Sequence, residues 1–328
     1  MRLLPRSRPF APAVTLTVAL LLAFLPSGAR AAGVTKESTT VDVSCAAFTY
    51  HQSADWYFPS GTPEGLIWLQ HGFARANDHV QDLAEHYAAA GYLVFAPTLP
   101  SADLFGCTLP NLGNNKPFLD NVASWFTASG TGAVRLRASY ARAAAAAGRS
   151  GTALPSSLVL SGHSAGGEAV EYVAQRLHAT APADFARVRG LVLLDPVKSF
   201  LGSNTEDSLT GLAGTGLPVH TISSPPYSCN SDATGTEAVQ ELAPAAFAGV
   251  RLTTGAHTDA EGASTDLGGT ALCGTPRTKN VAALQSLATA WASDAFTGRT
   301  TAAWYPGGAS YEALLTAGTI STLAGAGA

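Results

Sequence analysis

Ser164 stands in Gly162-His163-Ser164-Ala165-Gly166, a lone serine with a glycine two residues to either side. A serine hydroxyl at its ordinary acidity is a weak nucleophile and needs a base to take its proton. Three histidines follow it: His178, His220 and His257. The base in turn needs an acid on its other ring nitrogen, to fix the tautomer and stabilise the imidazolium. Asp195 directly closes an apolar run and is the preferred acid, with Asp232 as the alternative. A nucleophile, an acid and a base of these types carry out acyl transfer. The oxyanion formed on the way needs preorganised donors. The backbone N–H of Ala165, next after the serine, is one candidate, and that of Phe73, in His71-Gly72-Phe73, is the other.

These side chains must be held together by elements far apart in sequence. Apolar runs at 65–71 (GLIWLQH), 92–97 (YLVFAP), 157–161, 188–194 (VRGLVLL), 217–222 (LPVHTI) and 249–254 (GVRLTT) read as strands. Between them, Val80, Leu83, Ala84 and Tyr87, then Val170, Val173, Ala174 and Leu177, and finally Val281, Leu284, Leu287 and Trp291 fall at helical spacing. Buried strands alternating with helices predict an α/β fold: a mostly parallel, doubly wound sheet with helices on both faces. The stretch 39–57 is expected to add antiparallel edge strands. The interval from Pro196 to Leu217 is too short for a large lid. Reactive groups in such a sheet gather at the carboxyl ends of the strands. There Ser164 follows one strand and Asp195 the next, while His257 lies in the loop after the last. His178 falls at the wrong end of its helix, and His220 lies inside a strand. The glycines of the pentapeptide are expected to let a helix press close behind a strained serine.

The first residues belong to targeting rather than fold. Arg2, Arg6 and Arg8 precede an apolar run from Ala11 to Pro26, and Ala29-Arg30-Ala31 supplies small residues for cleavage. Residues 1–31 are therefore read as a signal peptide, and 32–328 as a single domain whose tail, 299–328, is Ala/Gly/Thr-rich and expected to pack loosely. The chain has 19 Lys+Arg and 23 Asp+Glu. Four of the arginines lie in the signal peptide, so the remainder carries a formal charge of −8. No basic cluster appears, which argues against nucleic acid as a partner, and no stable membrane anchor is expected. The four cysteines, Cys45, Cys107, Cys229 and Cys273, enter an oxidising compartment, where an even count implies disulfides. Cys229 with Cys273, flanking the His257 region, is the preferred pair. None has metal-ligand spacing, and the calcium alternative is the acidic loop of Asp259, Glu261 and Asp266. The chain is expected to act as a monomer.

The blocks LIWLQHGFARANDHVQDLAEHYAAAGYLVFAPTLP, LVLSGHSAGGEAV and GLVLLDPV resemble the core of chlorophyllase-like α/β-hydrolases. They are also similar to bacterial platelet-activating-factor-acetylhydrolase-like and cutinase-type polyester hydrolases. The likeness covers roughly residues 60–260 and shares the order Ser, Asp, His. It implies ester hydrolysis through an acyl-enzyme with no cofactor, and it supports Asp195, since chlorophyllase-like members take their acid from a D-P-V block. Ala165 stands where chlorophyllases carry Arg and cutinase-type enzymes Met, so neither substrate carries over. The expected activity is that of a secreted serine esterase on a small-molecule or polymeric ester. The alternatives are an acyltransferase or polyester hydrolase with the same triad, or a binding protein on a hydrolase fold.

Overall fold

The computed structural model describes Met1 and residues 33–328. The expected signal peptide, Met1 aside, and its cleavage point lie outside the described residues. Among those described, no helix is long and apolar enough to cross a membrane.

Nine strands form one sheet: β1 Thr35–Cys45, β2 Phe48–Phe58, β3 Leu66–Gln70, β4 Leu93–Pro97, β5 Leu158–His163, β6 Val188–Leu194, β7 Val219–Ser223, β8 Phe247–Leu252 and β9 Ile320–Ala324. Their spatial order is β1-β2-β4-β3-β5-β6-β7-β8-β9. Strands β3 to β8 run parallel, and β1, β2 and β9 are antiparallel at the edges. The helices are α1 Gln81–Ala89, α2 Lys116–Ala123, α3 Thr131–Ala146, α4 Ala165–Thr180, α5 Pro182–Phe185, α6 Asn204–Leu212, α7 Thr234–Leu242, α8 Leu267–Cys273, α9 Thr278–Thr297 and α10 Ala309–Thr316.

Side chains of a strand alternate between faces, and the central strands bury both. From β3, Leu66 and Trp68 point into a core shared with Phe118, Trp125, Val170 and Val173 from the α2–α4 side. Ile67 and Leu69 point the other way, to Leu83 and Tyr87 of α1 and Leu284, Leu287 and Trp291 of α9. The sheet is thus covered on both faces, as the alternating runs predict. Between β6 and β7 stand only α6 and its flanking loops.

The tail departs from expectation. Residues 299–328 include α10 and β9, and β9 pairs along β8 from Leu252↔Ile320 to Phe247↔Ala324. Tyr311, Ile320 and Leu323 are buried. An unpaired β8 edge would present a row of backbone N–H and C=O groups, and β9 supplies their partners.

Candidate active site

The turn from β5 into α4 carries Ser164 at φ 57°, ψ −127°. The backbone is packed tightly around it. A Cβ on Gly162 would meet the Gly166 carbonyl oxygen at 2.2 Å, and one on Gly166 would lie 2.5 Å from that of Gln70. A Cβ on Gly72 would lie 2.7 Å from Ser164 Cβ, so the loop after β3 passes against the serine. Each glycine is there because another backbone or the serine itself occupies the space of a side chain.

The three functional candidates gather at the carboxyl ends of β5, β6 and β8. Ser164, Asp195 and His257 are 6%, 4% and 6% exposed. His257 Nδ1 lies 2.7 Å from Asp195 Oδ2. Asp195 follows β6 at φ 44°, and its carboxylate also accepts Ser224 N–H at 2.9 Å, Ser224 O–H, and Asn230 Nδ2 at 3.2 Å. Burial pushes the Asp195 carboxyl up, but the hydrogen bonds from His257 and Ser224 outweigh it and hold the group below its ordinary value. It is therefore ionised and poised to orient the imidazole. Ser164 and His257 border one cavity. Among the described residues no hydrogen bond yet joins Ser164 Oγ to the ring, a contact that in substrate-free sites often tightens only on binding.

Asp232 is elsewhere. It sits exposed on the surface in the left-handed region, φ 55°, with its N–H on the Tyr227 carbonyl at 2.9 Å. In place of an acid, the segment after β7 supplies two donors to Asp195, Ser224 and Asn230. His178 packs at a tilt against Phe185 at the far end of α4. His220 is enclosed by Phe247, Trp291 and Tyr305 at centroid distances of 5.0–5.7 Å.

Two amides neighbour the serine: Ala165 follows it in the chain, and Phe73 borders the same cavity. Among the described residues neither Phe73 N–H nor Ala165 N–H has an acceptor. Their loop is pinned from several sides. His71, fully buried, has its Nε2 accepting the Leu99 N–H at 3.0 Å and its Nδ1 donating to the Gly72 carbonyl at 2.7 Å. Burial lowers its pKa to about 4, so it is neutral.

Several positioning residues escaped the sequence reading. His163 is buried, and its Nε2 donates to the His257 carbonyl oxygen at 2.9 Å, which makes it a support for the His257 loop. Burial keeps it neutral, with its pKa well below the usual imidazole value. Tyr227 accepts the His257 N–H at 2.6 Å and donates to the Cys273 carbonyl at 2.7 Å. It stands behind His257. Arg75 forks onto Glu261 at 2.8 and 2.6 Å, tying the Phe73 loop to the His257 loop. This bidentate geometry is one that only arginine supplies. No spacing rule signals any of the three.

The cysteines pair as Cys229–Cys273, the preferred pair, and Cys45–Cys107. The first joins the segment after β7 to α8, beside His257. The carboxylates weighed for calcium have other partners. Asp259 accepts the Ala256 and Arg277 amides, Glu261 holds Arg75, and Asp266 accepts from Arg75 and Gly269. Trp304 packs against α9, where Trp291 Nε1 donates to its carbonyl at 3.3 Å.

No family model and no curated protein matches the chain. Solved structures do. A ferulic acid esterase from Streptomyces cinnamoneus aligns over 88% of this chain and 96% of its own, at 11% identity and TM-score 0.53. Esterase Est22 aligns over 63% of this chain at 16% identity and TM-score 0.37, and this chain spans 56% of its length. A thermostable esterase from Pseudomonas putida aligns over 59% of this chain and 65% of its own, at 14% identity and TM-score 0.38. At these identities the likeness is one of fold. With the parallel sheet, the strand order and the strand-to-helix elbow already described, the likeness to the ferulic acid esterase shows that the chain has the α/β-hydrolase fold.

Proposed function

We propose that the protein is a secreted serine carboxylic-ester hydrolase. The observation that carries this reading is the Asp195–His257 hydrogen bond of 2.7 Å beside the strained Ser164 elbow. Ser164 Oγ attacks the ester carbonyl while His257 Nε2 takes its proton. Asp195 stabilises the imidazolium that results. The tetrahedral oxyanion is bound by the Phe73 and Ala165 N–H groups, which among the described residues donate to no protein acceptor. Collapse breaks the C–O bond, and His257 returns the proton to the leaving alcohol. Water, deprotonated by the same ring, then releases the acid. Preorganised donors of this kind are typically worth about 10²–10³ in rate each.

The two disulfides support an oxidising compartment, in keeping with the signal peptide read at 1–31. The test is hydrolysis of p-nitrophenyl esters by the mature chain and its variants. Ser164→Ala and Asp195→Asn are expected to lower kcat by about 10⁴ or more. Asp232→Ala is expected to stay within about twofold, as surface changes away from a site usually do. Full activity in Ser164→Ala, or none in the unaltered chain, would overturn the proposal.

A further inference from the structure

Ser164 opens onto two cavities of unequal size. Resting on the hydrolase reading above, we propose that the preferred substrates are esters of small acids with bulky alcohols. The acyl group takes the smaller cavity and the alcohol the larger.

The smaller cavity, about 180 Å³, is walled by Ala165, Pro110, Leu112, Val197 and Phe200. The larger, about 380 Å³, is walled by His257, Arg75, Thr258, Glu261 and Leu272. Phe73, Ser164 and Cys229 border both. Chemistry assigns them. The proton taken from Ser164 must be handed to the departing oxygen, so the alcohol has to lie within hydrogen-bond reach of His257. Only the larger cavity contains that ring. The acyl carbon stays on Ser164 Oγ, with its oxygen toward the Ala165 amide, and Ala165 borders only the smaller cavity.

The smaller cavity is firmly built. Val197 N–H bonds to the Ser164 carbonyl at 3.1 Å. The buried Glu168 of α4 grips Ser199 through its N–H at 2.8 Å and through its hydroxyl. Ser199 Oγ in turn accepts the Asn111 N–H at 2.7 Å, fixing the opposite wall. Widening it means breaking bonds that originate on the elbow helix.

The experiment compares two isomers, 2-phenylethyl acetate and ethyl phenylacetate, by titrating the acid released. The first is expected to show at least about tenfold higher kcat/KM, the scale on which a hydrophobic pocket discriminates by size. Leu112 and Leu272 are exposed, so changing them should spare the fold. Leu112→Ala should raise the rate on ethyl phenylacetate, and Leu272→Trp should lower that on 2-phenylethyl acetate. Equal or reversed preference, with Ser164-dependent hydrolysis of p-nitrophenyl acetate intact, would overturn the cavity assignment alone. Failure to hydrolyse any of the three esters would overturn the hydrolase reading and this assignment together.

Discussion

A buried carboxylate is stable as an anion only when donors replace its lost water. For Asp195 these are His257, Ser224 and Asn230. A hydrogen bond to a charged group is worth about 1.5–3 kcal/mol. Ser224→Ala should therefore lower kcat/KM on p-nitrophenyl acetate by roughly tenfold to a hundredfold, with the circular dichroism spectrum unchanged. An unaltered rate would show that Ser224 gives the acid no support. Asp195 was readable because it ends an apolar strand directly, where the fold presents reactive groups. Ser224 was not, because Ser-Ser-Pro-Pro reads only as a turn lacking an acid. His163 was missed for a related reason: a histidine before the nucleophile says nothing about which distant carbonyl its ring will reach.

Elements were legible in proportion to their apolar contrast. The six parallel strands are largely buried on both faces and appear as mostly apolar runs, so their positions were read to within about two residues at either end. Helix α3, by contrast, is alanine-rich on every face, and its buried Ala133, Ala143 and Ala144 look like its exposed neighbours. Helix α10 and strand β9 are short and set among Ala, Gly and Thr residues, which is why the tail suggested loose packing. Its burial says otherwise. A chain ending at Thr300 loses Tyr311, Ile320 and Leu323 from the core, and at about 1.5–3 kcal/mol each this amounts to roughly 4–9 kcal/mol. It also leaves the β8 edge open to other chains. Urea denaturation should show the loss and light scattering the association. A truncated chain with an unshifted midpoint would refute the structural role of β9.

For the molecule as a whole, acid is a threat through histidine. Burial lowers the pKa of His71 and of His220 to about 4, and that of His163 well below its ordinary value. The unfolded chain protonates these rings near pH 6.5, so below that it binds more protons than the fold does. Stability from each ring is fully present above pH 6.5 and is lost as pH falls toward 4, by up to about 1.4 kcal/mol per pH unit. Glu171 works in the opposite sense, because burial raises its carboxyl well above the usual range and the fold holds its proton. His220→Phe, placed among Phe247, Trp291 and Tyr305, should make the stability profile between pH 6 and 4.5 shallower by about 1.4 kcal/mol per unit. Denaturant midpoints across that range would measure it, and an identical slope would mean His220 takes up its proton in the folded state. A different economy governs the elbow. Ser164 holds a φ, ψ pair that suits glycine, and strain of that kind amounts to about 1–3 kcal/mol. The whole fold has only about 5–15 kcal/mol in hand. Selection for endurance alone would put glycine at position 164. The most durable version of this chain and the most active one are therefore different molecules, separated by a single hydroxymethyl group.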